Sequence, residues 1–262
     1  MRISIITVCY NSSQYIRSAI DSVLSQSYTD IEYIVIDGGS TDETLEIINE
    51  YMDQISLIIS EVDEGMYDAM NKGIALASGD IIGILNSDDF YSNINVISDV
   101  VGCFNTKDGI DMIFGNVDFV NAQDLNSPLR LYSSSRFSPW KLRFGFMPAH
   151  PASFIKKSAY NGVGSYKLGY NIAADFDMFV RLLLGAKKKY YSLNKVMVRM
   201  RLGGVSTSGV NSYIVSSQEM MRSLKENNIF TCWLFICIRL PIKLVQSLSF
   251  KITSFLTKKA NL

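Results

Sequence analysis

Ile81-Ile82-Gly83-Ile84-Leu85-Asn86-Ser87-Asp88-Asp89 decides how the chain is read. The apolar, β-branched run over residues 81–85 has the length of a buried strand, and two adjacent carboxylates follow where it ends. Open parallel sheets bind ligands at the carboxyl ends of their strands. One carboxylate there suits a hard cation and the other suits hydroxyls, although a plain surface turn also favours Asp and Ser. The flanking sequence has to decide between these.

Upstream, residues 3–9 predict a first strand that ends in Thr7-Val8-Cys9-Tyr10-Asn11. Ile16, Ala19, Ile20, Val23 and Leu24 then fall at helical spacing within residues 13–27, with Ser12 or Ser13 as the N-cap. A second run, residues 31–36, ends in Asp37-Gly38-Gly39-Ser40-Thr41-Asp42, where the glycines permit a tight turn and Ser40 or Thr41 caps a helix over 42–52. Such a turn is a nucleotide pocket at a sheet edge or an ordinary strand-to-helix connection. A third strand over residues 55–60 leads to Glu61-Val62-Asp63-Glu64-Gly65 and a helix with Met66, Met70, Ile74 and Ala77 on one face. Asp68, Asn71 and Lys72 lie on its other faces; Lys72 suits a phosphate or a solvated surface. Gly79-Asp80 closes the helix.

Downstream, residues 94–104 read as a helix and residues 111–120 as a strand without an assignable partner. Polar composition, Pro128 and a serine triplet make residues 121–135 a loop or a boundary. His150 lies in a glycine- and proline-punctuated stretch before a short strand at 152–155; it could touch an acceptor, complete a metal shell or be satisfied within its loop. Asp175 falls in the first turn of a helix whose Phe176, Phe179, Val180 and Leu183 share a side. The helix dipole keeps such a carboxylate ionised and able to accept a proton, though capping alone also explains it. Residues 196–202 alternate as a strand, with Arg199 and Arg201 opposite Val198 and Met200. Gly203-Gly204-Val205-Ser206-Thr207 follows, and its glycines and hydroxyls either wrap a diphosphate or make a hairpin turn.

With 262 residues, 48% of them apolar, the chain can bury one large core. Its net charge is zero, yet residues 1–130 carry 21 acids and 5 bases while residues 131–262 carry 4 acids and 20 bases. The acidic half suits metal and hydroxyls; the basic half suits phosphate or an anionic surface. Cys9, Cys103, Cys232 and Cys237 show no paired spacing and fit a reducing compartment. A single histidine excludes a multi-histidine metal site, and the first eight residues are too short and alternating for a signal sequence. Residues 229–238 are apolar but too short to span a bilayer. Over 243–259, Leu244, Val245, Leu248, Ile252, Phe255 and Leu256 recur at helical spacing, and five cations from Arg239 to Lys259 occur without an acid. That pattern fits a helix lying in a membrane interface, or one docked on the domain or a second subunit.

In order along the chain, the turn after the first strand, Asp37-Gly38-Gly39-Ser40-Thr41-Asp42, the Gly65-to-Gly73 helix, Gly79-Asp80 and Asn86-Ser87-Asp88-Asp89 resemble inverting glycosyltransferases of family 2. The resemblance spans about the first ninety residues. The Asp175 helix and the Gly203-Gly204-Val205-Ser206 turn look like the acceptor half of that family. It implies an α/β, GT-A fold: a Rossmann-like mixed sheet flanked by helices, with residues 1–120 binding a nucleotide-sugar. Residues 121–228 would hold the acceptor and catalytic base, and residues 229–262 would form a membrane-associating amphipathic segment. By the same resemblance Thr7, Tyr10 and Asp37 would contact the nucleoside, Asn11, Asn71 and Lys72 the donor, and Asp88 the ribose or sugar. Asp89 would bind Mn²⁺ or Mg²⁺ and Asp175 would be the base, with His150, Arg199, Arg201, Gly204 and Ser206 toward acceptor or diphosphate.

Three positions depart from the family pattern: Gly38 stands for a second Asp, Met70 for an Arg, and Asn86 for an Asp that commonly opens the acidic motif. The expected reaction moves a sugar, from UDP more than other nucleotides, to a lipid-linked saccharide in surface polysaccharide assembly. The expected location is the inner face of the cytoplasmic membrane, with the protein peripherally bound. A nucleic-acid partner is not expected, and a homodimer stays open. A nucleotidyltransferase would need a glycine-rich basic loop where Tyr10-Asn11-Ser12-Ser13 stands. A methyltransferase would leave Asp88-Asp89 without a task, and a non-catalytic sugar- or lipid-binding scaffold is the remaining alternative.

Overall fold

The computed structural model describes residues 1–121, 124–202, 210–239 and 241. Four parallel strands, β1 (Ile3–Cys9), β2 (Ile31–Asp37), β3 (Leu57–Ser60) and β4 (Ile81–Asn86), lie in the order β3-β2-β1-β4. The crossovers reverse direction between β1 and β4, which opens a crevice at the carboxyl ends of those strands. The chain continues through β5 (Asp89–Tyr91), β6 (Met112–Asn121), β7 (Asp124–Tyr132), β8 (Ser153–Lys156) and β9 (Tyr190–Arg201). From β4 the sheet runs β8-β6-β9-β5, so its last strand is the one that follows β4 directly in sequence. The sheet therefore curls, and Ser87-Asp88 closes the curl. Because β8 sits between β4 and β6, the two halves of the chain share one sheet.

The helices are α1 (Ile16–Leu24), α2 (Thr44–Asn49), α3 (Met66–Leu76), α4 (Val96–Thr106), α5 (Lys157–Val163), α6 (Ala174–Phe179), α7 (Val210–Glu226) and α8 (Trp233–Cys237). Successive β1 side chains face opposite cores, as period-two geometry requires. Ile3 and Ile5 join Ile20 of α1 and Val100 of α4, while Ile6 and Val8 join Met70 of α3 and Phe176 of α6.

Several expectations change on contact with the fold. Helix α1 begins at Ile16, and neither Ser12 nor Ser13 caps it; the Ser12 carbonyl instead accepts the Tyr15 and Ile16 amides in a turn. Asp42, rather than Ser40 or Thr41, receives the Thr44 N–H at 3.0 Å, and α2 is shorter than predicted. The inner face of α3 is Tyr67, Met70 and Ile74, with Met66 40% exposed. The predicted loop at 121–135 holds β7, which pairs with β6 alone; Pro128 and polar side chains are tolerated there because that strand lies at an edge. The partners that the sequence left unassigned for β6 are β7, β8 and β9. The turn at 203–207 and the segment at 243–259 lie outside the described residues, and among the described residues no helix is long and apolar enough to cross a membrane.

Gly79 enters β4 where a Cβ would lie 2.7 Å from the Ser4 amide nitrogen and 2.9 Å from the Arg2 carbonyl oxygen. Both are backbone atoms of the β1 edge and cannot rotate away. Gly79→Ala is expected to destabilise the fold by about 1–3 kcal/mol, read as a lower urea midpoint at constant slope. An unchanged midpoint would mean that the β1–β4 edge gives way without cost.

Candidate active site

The loops after β1 and β2 are joined into one wall. Asn11 adopts φ 47°, a conformation Asn tolerates, and its side-chain oxygen accepts the Thr41 N–H at 2.9 Å while its own N–H donates to Ser40 Oγ at 2.8 Å. Ser12 donates its amide to Thr44 Oγ1 at 2.7 Å and shares a hydroxyl contact of 2.8 Å with Ser87. Asp37 is wholly buried and accepts the Ser40 N–H at 3.1 Å, the Ser40 hydroxyl and the Ser60 hydroxyl at 2.7 Å. Thr7 is equally buried, and its hydroxyl receives Tyr33 Oη at 3.1 Å. Of the residues expected at the nucleoside, Tyr10 presents a free face, at 62% exposure, while Thr7 and Asp37 are buried with internal partners; Asn11, expected at the donor, is exposed and shapes the wall through its side-chain oxygen. Burial and the neighbouring Asp37 push the Cys9 thiol up, which keeps it protonated.

Gly38 has a physical reason. A Cβ there would lie 2.5 Å from Asp63 Oδ2, so the missing side chain admits a carboxylate from the β3–α3 loop. Asp63 thus brings an acid to the spot where the family pattern has its second Asp, a substitution that spacing along the chain cannot reveal. Lys72 is held at the same rim by Glu61 at 3.0 Å and Asp68 at 3.3 Å. Asn71 points elsewhere: its amide group donates to the Tyr166 carbonyl and accepts the Tyr166 N–H, each at 2.8 Å, clamping α3 to the second half of the chain.

At the closure of the curl, Asp88 is half-buried and Asp89 fully buried. Burial, then the Asp88 charge, push the Asp89 carboxyl well above the usual range; the Asn86 amide, 3.1 Å from Oδ2, and the Arg201 cation oppose this. Burial also raises Asp88, against its own backbone amide and Arg201. Arg201 lies behind the pair, donating to the Asp88 carbonyl and, at 2.8 Å, to Ser18 Oγ, with its guanidinium over the Tyr15 and Phe90 rings. Arg199 donates to the Leu125 carbonyl at 3.1 Å. Gly204 and Ser206 lie outside the described residues.

Asp175 stands at the start of α6, half-buried, with its carboxylate accepting the Phe176 N–H at 2.7 Å. Burial pushes it up to about 7, helped by the Glu219 charge and opposed by backbone amides. Its negative charge is felt by the phenols of Tyr67, Tyr132 and Tyr166. Tyr67 follows the carboxyl end of β3, stacks on Tyr166 and donates to the Ile172 carbonyl at 2.6 Å, so Asp175 is tied to the sheet edge that carries the other acids. His150 is buried and neutral, lowered to about 4 by desolvation, and makes a 2.7 Å bond to the Tyr166 hydroxyl. It is the histidine satisfied within the fold rather than one open to acceptor or metal.

Two acids of this region escaped sequence reasoning. Glu219 of α7 accepts three successive amides, Asn171 at 2.7 Å, Ile172 at 3.0 Å and Ala173 at 2.9 Å, and so fixes the backbone that delivers Asp175. Asp177 is fully buried among Arg181 at 2.7 Å, Lys167 at 3.2 Å, Ser223 at 2.8 Å and Asn227 at 3.2 Å. Arg181 at the i+4 position was the one local sign of it.

Among the described residues no three His, Cys, Asp or Glu side chains gather into a metal cluster. The acidic motif nevertheless suits a hard cation. Oδ1 of Asn86 and Oδ1 of Asp89 are buried oxygens without a hydrogen-bond partner, and Asp88 adjoins them. Oxygen donors of this kind are what Mn²⁺ or Mg²⁺ takes, with further places filled by phosphate oxygens.

Comparison with known proteins agrees with the geometry. The family model described as Glycosyl transferase family 2 matches residues 4–162. An uncharacterized glycosyltransferase of Mycobacterium tuberculosis is 32% identical over 214 residues, covering 80% of this chain and 77% of the relative. Staphylococcus aureus TarS 1–349 in complex with UDP-GlcNAc superposes with a TM-score of 0.67 at 19% identity, over 86% of this chain and 66% of that one. This chain thus spans slightly less than two thirds of that structure. Mycobacterium tuberculosis glucosyl-3-phosphoglycerate synthase, crystallised with Mn²⁺, UDP and phosphoglyceric acid, superposes at 0.60 and 18% identity over 85% of this chain and 78% of its own. The shared architecture is the GT-A fold.

The raised Asp175 carboxyl makes a prediction about stability. Its folded value lies above its unfolded one, so the folded state holds the proton more tightly and stability declines as pH rises from about 4 to about 7. Asp175→Asn removes that loss. It is expected to raise the melting temperature at pH 8 and leave it nearly unchanged at pH 4, by calorimetry at both pH values. Equal shifts at the two would show that the carboxyl is not held up by burial.

Proposed function

The chain belongs to glycosyl transferase family 2, and from that membership and the site geometry we propose that it transfers a sugar from a nucleotide-sugar to a saccharide hydroxyl with inversion. The observation that carries this reading is a pair of differently handled carboxylate sites. Asn86 and Asp89 each offer an unsatisfied buried oxygen for a cation, with Asp88 beside them, and Asp175 has a carboxyl poised near neutrality for proton transfer.

In the proposed reaction Tyr10 stacks against the base, and Asp63, in the space left by Gly38, reads its polar edge. Asn86, Asp88 and Asp89 would hold Mn²⁺ or Mg²⁺. Such an ion, when bound, neutralises charge that builds on the leaving diphosphate. The Asp175 carboxylate takes the proton of the acceptor hydroxyl as that oxygen attacks the anomeric carbon from the face opposite the diphosphate. The bond from that carbon to the diphosphate oxygen breaks, its electron pair leaves with the nucleoside diphosphate, and configuration inverts. UDP is the nucleotide we favour, supported by the UDP and UDP-GlcNAc held by fold relatives. The 20 bases against 4 acids over residues 131–262 support an acceptor carried on a lipid diphosphate, as in surface polysaccharide assembly at the inner face of the cytoplasmic membrane.

The test is nucleotide release from a panel of UDP- and GDP-sugars, with Mn²⁺ or EDTA, with and without a synthetic lipid-diphosphate saccharide. Release is expected to need one donor, the metal and the acceptor together, and Asp89→Ala is expected to abolish it. Asp175→Asn should cut kcat at least about a hundredfold while donor affinity by calorimetry changes little. Near-normal turnover in Asp175→Asn would remove it from the role of base. No release from any donor by folded protein would favour a binding scaffold.

Glu219 then acts as a positioning residue. Its charge raises Asp175, so Glu219→Gln is expected to move the acid limb of the kcat profile to lower pH and to lower kcat more than it raises KM for the donor. A uniform loss of activity with an unmoved limb would mark Glu219 as structural alone.

A further inference from the structure

Outside the site, one surface is built from two segments remote in sequence. A 3-10 helix, Pro139–Phe144, lies against the region of residues 230–238. Phe144 stacks on Phe235 at 4.5 Å, Trp140 meets Phe144 edge-on at 5.7 Å, and Phe230 meets Phe235 edge-on at 6.1 Å. The patch is held from beneath. Ile236 is buried, Thr231 Oγ1 donates to the Arg143 carbonyl at 2.8 Å, and Gly145, at φ 74°, lets Ile236 approach Met220 of α7. Outward, Phe230 and Leu234 are each 70% exposed, Trp140 56% and Trp233 51%. A monomer rarely shows four such side chains together without a partner.

We propose that this surface docks the protein on an anionic phospholipid bilayer. Trp and Phe are the side chains that settle at the headgroup boundary; Lys141 lies over the Trp140 ring at 5.9 Å and reaches the Arg136 carbonyl, and Arg136 and Arg143 are exposed in or next to the same 3-10 helix. Neither contributing stretch, residues 125–174 nor 227–262, contains one Asp or Glu. A second copy of the chain is a poor occupant, because a two-fold contact would set this acid-free basic surface against itself. An anionic lipid surface supplies the missing opposite charge. The patch is also joined to the backbone before Asp175: α8 packs on α7 beside Met220, and the adjacent Glu219 of α7 accepts the Ala173 N–H. Docking deepens the membrane part of the proposed function, and its test needs neither donor nor acceptor, so the two readings stand or fall separately.

The only two tryptophans of the chain, Trp140 and Trp233, are both exposed, one on each of the two segments that build this surface. Intrinsic fluorescence of the full chain therefore reports the patch directly. The experiment adds phosphatidylcholine vesicles, with and without phosphatidylglycerol, and then the same vesicles containing brominated acyl chains. Expected are a blue shift and quenching with anionic vesicles, and a fall of about tenfold or more in vesicle partition for Trp140→Ser/Phe230→Ser/Trp233→Ser, followed by sedimentation. Lys141→Gln/Arg143→Gln, which spares the apolar side chains, is expected to weaken binding to anionic vesicles and leave the circular dichroism unchanged. Sedimentation with vesicles but no quenching would assign binding to residues 243–259 and overturn the proposal. So would a concentration-dependent blue shift without lipid, which marks self-association, or the absence of any vesicle binding.

Discussion

A carboxylate taken out of water must be met by donors or by a cation, or it will hold its proton. The functional edge of this fold collects acids under that constraint and resolves them in two ways. Asp37, Asp177 and Glu219 are buried with several donors each, from hydroxyls, backbone amides, Lys or Arg. They act as fixed joints. Asp89 keeps one buried oxygen without a donor, and Asp175 has only backbone amides for its side chain and a carboxyl pushed up to about 7. In the proposed function the first would take a cation and the second would trade a proton. Satisfied acids and unsatisfied ones thus separate architecture from chemistry.

What ties the Asp175 segment to the carboxyl end of the parallel sheet is α3. It starts at the carboxyl end of β3 and reaches across with Tyr67 to the Ile172 carbonyl and with Asn71 to both backbone groups of Tyr166. Lys157 reaches back to the Ala77 carbonyl just beyond the helix end. The Tyr67 and Asn71 contacts join residues 105 and 95 apart in sequence, on the backbone of the segment that leads to Asp175. Asn71 and Lys72 are neighbours in the chain with separate tasks: one locks the halves together, the other sits among acids at the rim.

The strands and the acidic turn were legible because each carries its own signal. Apolar runs end at Asp37 and Asn86, and the structure ends β2 and β4 at those residues. Edge strand β7 was not legible, since a strand with one free side need not be apolar and tolerates Pro128. The helix starts at Ile16 and Thr44 were displaced because the serines and threonines before them bond between loops instead of capping their own helices. Glu219 and Asp63 could not be found by pattern. Their meaning comes from approach in space, 46 residues from Ala173 in one case and through the bare Cα of Gly38 in the other. His150 shows the converse: a residue type rich in chemistry that a phenol and burial render inert.

The division of charge along the chain follows the division of labour. A half with 21 acids and 5 bases surrounds the turns where a cation and sugar hydroxyls would be received, and it repels an anionic surface. The half with 20 bases and 4 acids carries Asp175 and the aromatic surface next to α7. Three of its four acids, Asp177, Glu219 and Glu226, are engaged by cations or backbone amides, so few exposed negative charges oppose approach. Under the proposed docking, long-range charge would draw the basic part of the chain toward an anionic surface before contact forms, and the aromatic side chains would hold it there.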